Sequence, residues 1–104
     1  MVGLLGFHTI DAEHPWIKHI GHFGMMVLKD FWGQGVGRRM LEIMEGVAKS
    51  AGILRIEALV RIQNTRGVRF YQNAGYQIEG TRRHGALIDG RFQDEYYIAK
   101  LLTP

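Results

Sequence analysis

The sequence contains no cysteine and only two prolines among its 104 residues. The absence of thiols excludes disulfides, thiolate metal sites and cysteine nucleophiles, and it fits a cytoplasmic protein. No apolar run reaches the roughly 20 residues that a membrane-spanning helix requires, and the first residues do not resemble a secretory signal. A cytoplasmic protein that does not enter a membrane is therefore expected.

The composition and length predict one packed domain. Hydrophobic residues make up 46% of the chain and charged residues 22%, which is typical of a globular protein and not of a disordered one. The length suits a single hydrophobic core, so we expect one domain over residues 1–104. The net charge of +3 fits nucleic acid, a membrane surface or a polyanionic cofactor, and it does not choose among them.

The first half of the chain reads as a hairpin followed by a strand-helix-strand unit. Residues 1–10 and 16–28 predict two strands, Gly21 and Gly24 mark bulges or close approaches in the second, and residues 29–34 predict a loop. Gly52 predicts the end of a helix, and residues 53–60 a strand with Leu54 on its apolar face. The helical stripe consists of Val36, Met40, Ile43, Met44, Val47, Ala48 and Ala51.

The second half predicts a short helix and further strands. Asn64 is suited to cap a helix that runs to about Asn73 and ends at Gly75. A short strand is expected at residues 76–79, a turn at Asp89-Gly90, and a last strand at residues 92–102. Together the elements predict an α/β fold with a mixed sheet.

The segment Gly33-Gln34-Gly35-Val36-Gly37-Arg38 joins a strand to the first helix. Glycines at such a turn let backbone N–H groups and the helix N-terminus face a phosphate. A P-loop would need Lys-Ser/Thr after its last glycine, and a dinucleotide-binding turn would need glycine where Met40 stands. Arg38 and Arg39 oppose the helix dipole unless an anion joins them, which favours phosphate binding over a simple connecting turn.

Two motifs in this order resemble the GNAT superfamily of N-acetyltransferases. The first is Trp32-Gly33-Gln34-Gly35-Val36-Gly37, where Trp32 replaces the family's Arg or Gln. The second runs from Asn64 to Tyr71-Gln72-Asn73-Ala74-Gly75-Tyr76, with Gly67 in place of a small Ala or Ser. The C-terminal segment is similar to the ribosomal-protein and amino-acid acetyltransferase subgroup. The resemblance implies a GNAT-like fold that lacks the usual N-terminal strand-helix-helix-strand segment.

The resemblance also implies acetyl-CoA as the acetyl donor, no metal, and a set of site residues. Tyr71 corresponds to the tyrosine that protonates the departing thiolate, and its alternative is an aromatic that packs beside Phe70. Asn64 corresponds to the residue that binds the pantetheine arm, and it can cap the helix at the same time. His22 and Glu95 are candidate bases, although either is more often structural. The expected cofactor-binding residues are Met26, Val27, Leu28, Gln34, Gly35, Val36, Gly37, Arg38, Arg39, Asn64 and Tyr71.

The leading hypothesis is an enzyme that acetylates a primary amine of a small molecule, a protein N-terminus or a lysine. The alternative is a catalytically impaired acyl-CoA-binding module or a subunit of a larger assembly, and an RNA-binding protein ranks last. Membrane binding is not expected. A homodimer is expected, because in the family the N-terminal segment would cover apolar residues of the first hairpin. Those residues are Leu4, Leu5, Phe7, Trp16 and Ile17. A basic group formed by Arg82, Arg83, His84 and Arg91 is expected to face solvent.

Overall fold

The structure is a computed structural model that describes residues 3–102. Its described elements form a five-stranded mixed sheet in the strand order β1-β2-β3-β5-β4, with two α-helices, which confirms the α/β class. The elements in chain order are β1 (Gly3–Thr9), β2 (Ile20–Val27), a 3₁₀ helix (Lys29–Phe31), α1 (Val36–Ser50), β3 (Arg55–Arg61), α2 (Thr65–Asn73), β4 (Gln77–Ile88) and β5 (Arg91–Leu101).

The described chain divides into two compact units. The first contains residues 3–56 with 101–102, and the second contains Glu57–Lys100. Neither helix in the described part of the chain is long and apolar enough to cross a membrane.

The first unit is built on an uninterrupted antiparallel hairpin. β1 and β2 pair from Gly3 opposite Val27 to Thr9 opposite Gly21. The sequence prediction that the second strand starts at residue 16 is wrong, because the chain turns there. The backbone N–H of Lys18 donates to the carbonyl oxygen of His14 at 2.8 Å, and this local bond replaces a ladder bond.

The predicted bulges at Gly21 and Gly24 are also absent, since both residues pair in register. The alternative reading, a close approach, is confirmed at Gly21. A Cβ atom there would lie 2.5 Å from the Phe7 ring, so only glycine lets that ring pack against the strand. Gly24 has no such neighbour within 4 Å.

Helix α1 packs against β1 and β2. It buries Leu41, Met44 and Ala48, whereas Ile43 is 58% and Val47 61% exposed. The predicted apolar stripe therefore needs correction: the core-facing stripe includes Leu41 and excludes Ile43 and Val47. Gly52 lies just beyond the helix with φ of +85°, the left-handed conformation that ends helices.

The loop predicted for residues 29–34 contains one turn of 3₁₀ helix in its first half and a turn in its second. Lys29–Phe31 forms one turn of 3₁₀ helix, in which the N–H of Phe31 donates to the carbonyl oxygen of Leu28 at 2.9 Å. This turn carries the chain from the end of β2 to the glycines that precede α1.

Strand β3 alternates buried and half-buried residues, with Ile56, Ala58 and Val60 buried. Leu54 was expected on this face but precedes the strand and is 44% exposed. Its backbone explains this position, because the N–H of Leu54 donates to the carbonyl oxygen of His19 at 2.9 Å before the strand begins.

The second unit contains α2 and a long hairpin. The helix has the bounds that the sequence predicts, with Gly75 at φ of +98° just after it. β4 is much longer than the predicted residues 76–79, and it pairs with β5 up to Ile88 opposite Arg91. Asp89 and Gly90 close the hairpin with φ of +51° and +77°, which confirms the predicted two-residue turn.

Candidate functional site

The glycine-rich turn places an open helix N-terminus at the end of the first hairpin. Gly33 and Gly35 both have φ of +79°, a conformation that side-chain-bearing residues rarely adopt. Gly35 is the N-cap of α1 and has no side chain that could cap the N–H groups of the first helical turn. A Cβ atom at either glycine would meet nothing within 4 Å, so the surface beside the turn is open.

The charge around this turn favours an anion. The first turn of α1 carries no acidic residue, although acidic residues are preferred at helix N-termini. Arg38 forms an exposed ion pair with Glu42 across one helical turn, with Nε and Oε1 3.5 Å apart. Arg39 is also exposed. Two cations beside the N–H groups of the first helical turn make a positive surface at the end of the helix.

The side chain of Gln34 holds the loop together. Its Nε2 donates to the carbonyl oxygen of Asp30 at 3.2 Å, across the 3₁₀ turn. The backbone of Gln34 lies between the two left-handed glycines. A contact with a phosphate would therefore come from the main chain at this position, as expected for a nest of N–H groups.

Met26, Val27 and Leu28 form the end of β2 and the residue after it. Met26 is 50% and Leu28 39% exposed, so neither side chain lies in the core. Met26 lies opposite Leu4 on the sheet face that does not contact α1. The indole Nε1 of Trp32 donates to the carbonyl oxygen of Val27 at 2.8 Å and ties the loop to the strand end.

His22 lies in β2, half-buried, directly opposite His8 of β1. The two imidazole ring centroids are 5.2 Å apart, with an angle of 41° between the ring planes. The sequence reading singled out His22 alone. His8 was missed because the pairing register, which no local pattern fixes, brings the two residues together.

In the second unit, Asn64 is the N-cap of α2, and its Oδ1 accepts a hydrogen bond from the N–H of Gly67 at 3.0 Å. Gly67, which departs from the family pattern, is compatible with this cap because it has no Cβ atom. A Cβ atom on Gly67 would collide with Nδ2 of Asn64. The glycine therefore leaves room for the asparagine amide in its observed position.

Tyr71 lies on α2 and is 9% exposed. Its ring packs edge-on against Phe70, at a centroid distance of 5.2 Å, and against Tyr76, at 5.8 Å. Desolvation by burial raises the pKa of the Tyr71 phenol above its ordinary value of 10.0. The phenol therefore stays protonated throughout the neutral range, with aromatic neighbours that restrict its position.

Lys100 holds the end of α2 and was not singled out from the sequence. Its Nζ donates to the carbonyl oxygen of Ala74 at 2.9 Å, just past the end of the helix. The same Nζ lies 5.7 Å from the centroid of the Tyr76 ring. A cation at a helix C-terminus is favoured by the dipole, so this lysine fixes the segment that packs against Tyr71.

Glu95, the second candidate base, lies on β5 and is engaged by Arg82. Arg82 Nη1 lies 3.5 Å from Oε1 of Glu95, whose side chain is 14% exposed. The remainder of the basic group is exposed, as expected. His84 stacks on Phe92 at a centroid distance of 4.4 Å and has φ of +54° in a bulge of β4.

The candidate residues therefore fall into one set in each unit. The first unit contains His22, the end of β2 and the glycine turn with its arginines, and the second contains Asn64, Tyr71 and Glu95. Within residues 3–102 there is no cluster of three or more His, Asp or Glu side chains that would hold a metal ion.

A family model for the Acetyltransferase (GNAT) family matches residues 1–76. The chain belongs to this family. It is 31% identical over 100 residues to the L-amino acid N-acetyltransferase AaaT of Escherichia coli, and the match covers 94% of this chain and 62% of that protein.

Solved structures agree on the fold. A GNAT acetyltransferase from Streptococcus pneumoniae matches with a TM-score of 0.86 and 29% identity, over 98% of this chain and 60% of its own. The yncA protein of Salmonella typhimurium, whose structure contains its cofactor acetyl-CoA, matches with a TM-score of 0.86 and 19% identity, over 98% of this chain and 58% of its own. The chain thus spans about three fifths of the length of these relatives.

Proposed function

We propose that the chain binds acetyl-CoA and transfers its acetyl group to a primary amine, on a small molecule, a protein N-terminus or a lysine. The observation that carries this proposal is the glycine turn. It combines two left-handed glycines, an uncapped helix N-terminus and two arginines in the first helical turn. Membership of the GNAT family supports the choice of coenzyme A over other phosphate-bearing ligands.

The pyrophosphate of coenzyme A would rest on the backbone N–H groups of residues 34–38. Gly35 and Gly37 permit close approach, and Val36 begins the helix whose dipole favours the anion. Arg38 and Arg39 would add charge. The Arg38–Glu42 pair is exposed, so it offers little resistance to a competing phosphate.

The pantetheine arm would extend along the backbone of Met26, Val27 and Leu28, as a peptide adds to a strand. Asn64 would contact the arm through its amide Nδ2, because Oδ1 already accepts from the helix. Capping and ligand binding are compatible in this arrangement, since they use different atoms of one side chain.

The reaction would be a direct attack. The amine nitrogen forms a bond to the thioester carbonyl carbon, the carbon–sulfur bond breaks, and the thiolate takes a proton from the Tyr71 hydroxyl. The Tyr71 phenol holds its proton at neutral pH and can donate it, although burial raises its pKa and so makes it a weaker acid than an exposed tyrosine. The phenol is then restored by a proton from solvent or from the acetylated amine.

A base must accept the amine proton, and His22 and Glu95 are the two candidates. Glu95 lies on β5 and is paired with Arg82. His22 lies on β2, the strand that leads to the proposed pantetheine segment.

A thiol-release assay tests the activity. Purified chain is mixed with acetyl-CoA and a panel of amino acids, polyamines and lysine-containing peptides. Amine-dependent release of coenzyme A is expected. Calorimetric binding of acetyl-CoA without turnover on any acceptor would support the binding-module alternative, and ATP binding as tight as acetyl-CoA binding would overturn the site assignment.

The proposal extends to assembly, location and domain organisation. An apolar groove of about 310 Å³ is lined by Leu5, Phe7, Met40, Ile43, Met44 and Val47. Leu4 is 57% and Trp16 81% exposed, whereas Leu5, Phe7 and Ile17 are half-buried. The groove and Leu4 lie on opposite faces of the β1–β2 hairpin. A homodimer that covers the groove is the proposed state, and sedimentation that gives only an 11.9 kDa monomer would exclude it.

A single acetyl-CoA-binding domain over residues 1–104 is part of the same proposal. It is supported by the family match, which extends over residues 1–76 and so includes parts of both units. The proposed location is the cytoplasm, and the absence of cysteine supports it.

A further inference from the structure

His8 and His22 are a cross-strand pair on the sheet face that α1 leaves open. They lie directly opposite each other in the β1–β2 ladder, and their ring centroids are 5.2 Å apart. Leu5 and Phe7 line the groove with α1, so His8, next along the strand, projects from the other face. His8 is exposed and His22 half-buried.

The space beside the two imidazoles is open on one side. The adjacent pair along this face is Gly6 opposite Gly24, and neither would have a heavy atom within 4 Å of an added Cβ. The next pair, Leu4 opposite Met26, lies beyond this gap. Two glycines thus leave bare backbone beside the histidines, with room for an ion and its water ligands.

The ring separation matches that of two imidazoles bound to one metal ion. Zn–N bonds of about 2.0–2.1 Å at a tetrahedral angle place the ring centroids roughly 5 Å apart. The observed 5.2 Å agrees with this spacing without a change of backbone register. We propose that His8 and His22 chelate one divalent transition-metal ion of the imidazole-binding class, with water in its remaining positions.

The donor set defines the class of ion. Neutral imidazole suits Zn²⁺, Ni²⁺ and Cu²⁺, and affinity at a nitrogen site rises along the series to Cu²⁺. Mg²⁺ and Ca²⁺ prefer oxygen ligands and are not expected to bind here. With two protein ligands and open positions, the ion exchanges readily and is not a structural zinc of the four-ligand type.

Binding at this pair does not depend on the proposed acetyl transfer. If His22 is also the base of that reaction, the bound ion occupies the nitrogen lone pair that would accept the amine proton. Metal then inhibits turnover, and a chelator restores it. This consequence rests on the proposed function, whereas the binding itself does not, so the two can fail separately.

Calorimetric titration of the full chain tests the binding, with Cu²⁺, Zn²⁺ and Mg²⁺ as probes. One equivalent of Cu²⁺ is expected to bind more tightly than Zn²⁺, and Mg²⁺ is expected to give no heat. His8→Gln and His22→Gln should each weaken Zn²⁺ binding by about tenfold or more, because the chelate is lost. His84→Gln, a histidine of the other unit, should leave the affinity unchanged. Single variants that bind Zn²⁺ as tightly as the unaltered chain overturn the proposal.

A second measurement uses the unaltered chain, so its result does not depend on whether the variants fold. In the unaltered chain, Zn²⁺ should shift the imidazole nitrogen resonances of His8 and His22 together at one equivalent. Shifts confined to His14, His19 or His84 overturn the proposal. Melting curves of each variant, recorded with chelator present, show whether the variant is folded. Weaker Zn²⁺ binding by a folded variant is then due to the lost imidazole.

Discussion

The indole N–H of Trp32 donates a 2.8 Å hydrogen bond to the carbonyl oxygen of Val27. The residue that replaces the family's Arg or Gln thus ties the start of the glycine turn to the end of β2. A guanidinium would have offered charge to a phosphate, whereas the indole offers a fixed connection between the two proposed cofactor-binding segments. We therefore expect Trp32 to aid cofactor binding by holding the loop in place and not by a direct contact with the phosphate.

Trp32→Phe should weaken acetyl-CoA binding severalfold, because the ring is kept but the hydrogen bond, worth about 0.5–1.5 kcal/mol, is lost. Calorimetry measures the affinity. Trp16→Phe is the matched control, since Trp16 is 81% exposed and the hydrogen bond from its backbone N–H to Nδ1 of His14 does not involve the indole. Equal affinities for both variants and the unaltered chain would show that the Trp32 bond does not organise the site.

Gly35→Asp should reduce coenzyme A affinity by about tenfold or more, because a carboxylate would stand where the pyrophosphate is expected. Aspartate tolerates the left-handed conformation better than most residues and is a good N-cap, so the fold should survive. Gly46→Asp adds the same charge within α1, at an exposed glycine with no neighbour within 4 Å of an added Cβ. If both variants lose affinity equally, the phosphates bind elsewhere.

Tyr71→Phe should lower kcat by roughly a hundredfold or more, the usual contribution of a general acid, and leave the affinity for acetyl-CoA nearly unchanged. Steady-state kinetics with calorimetry separate the two quantities. Tyr97→Phe removes the same hydroxyl from a side chain that is 47% exposed, and should retain full activity. A Tyr71→Phe enzyme that loses only binding would make Tyr71 a packing residue.

The raised pKa of Tyr71 also predicts a loss of stability in alkali. Burial disfavours the phenolate in the folded state, so above about pH 10 the unfolded chain loses this proton first and unfolding becomes easier. Below that pH the group contributes no pH dependence. Urea unfolding between pH 9 and 11 should show a shallower decline for Tyr71→Phe than for the unaltered chain. Parallel declines would mean that another group governs alkaline unfolding.

Asn64 and Gly67 should be energetically coupled. Gly67→Ala alone should bring little or no gain in stability, because the new methyl group displaces the Asn64 amide and disturbs its cap. Asn64→Ala should cost about 0.5–2 kcal/mol through loss of the cap. In the Asn64→Ala background, Gly67→Ala should stabilise by up to about 1 kcal/mol, the usual helix preference for alanine. Chemical unfolding of the four proteins measures the coupling, and additive effects would refute it.

Most local elements could be predicted because their signals are local. Asn64 and Gly75 bracket α2 as expected, and Asp89-Gly90 closes the last hairpin. These residues act through their own backbone conformation or through a bond to a neighbour three residues away, so the sequence alone determines the outcome.

The predictions that were wrong concern features that depend on contacts between distant parts of the chain. Ile43 and Val47 satisfy a helical period as well as Leu41 does, but tertiary packing buries Leu41 and leaves the other two exposed. β4 is long because β5 pairs with residues beyond Glu79 that have weak strand preference of their own.

The sequence by itself determined the glycine turn, the capped second helix and the family, since each depends on residue types at short, fixed spacing. Only the tertiary structure determined that His8 and His22, which are 14 positions apart in the sequence, lie side by side. A hairpin shifted by one residue would send one of these side chains to the opposite face of the sheet, and no local pattern specifies that register. The buried environment of Tyr71 was likewise decided by packing, because desolvation depends on what surrounds the phenol.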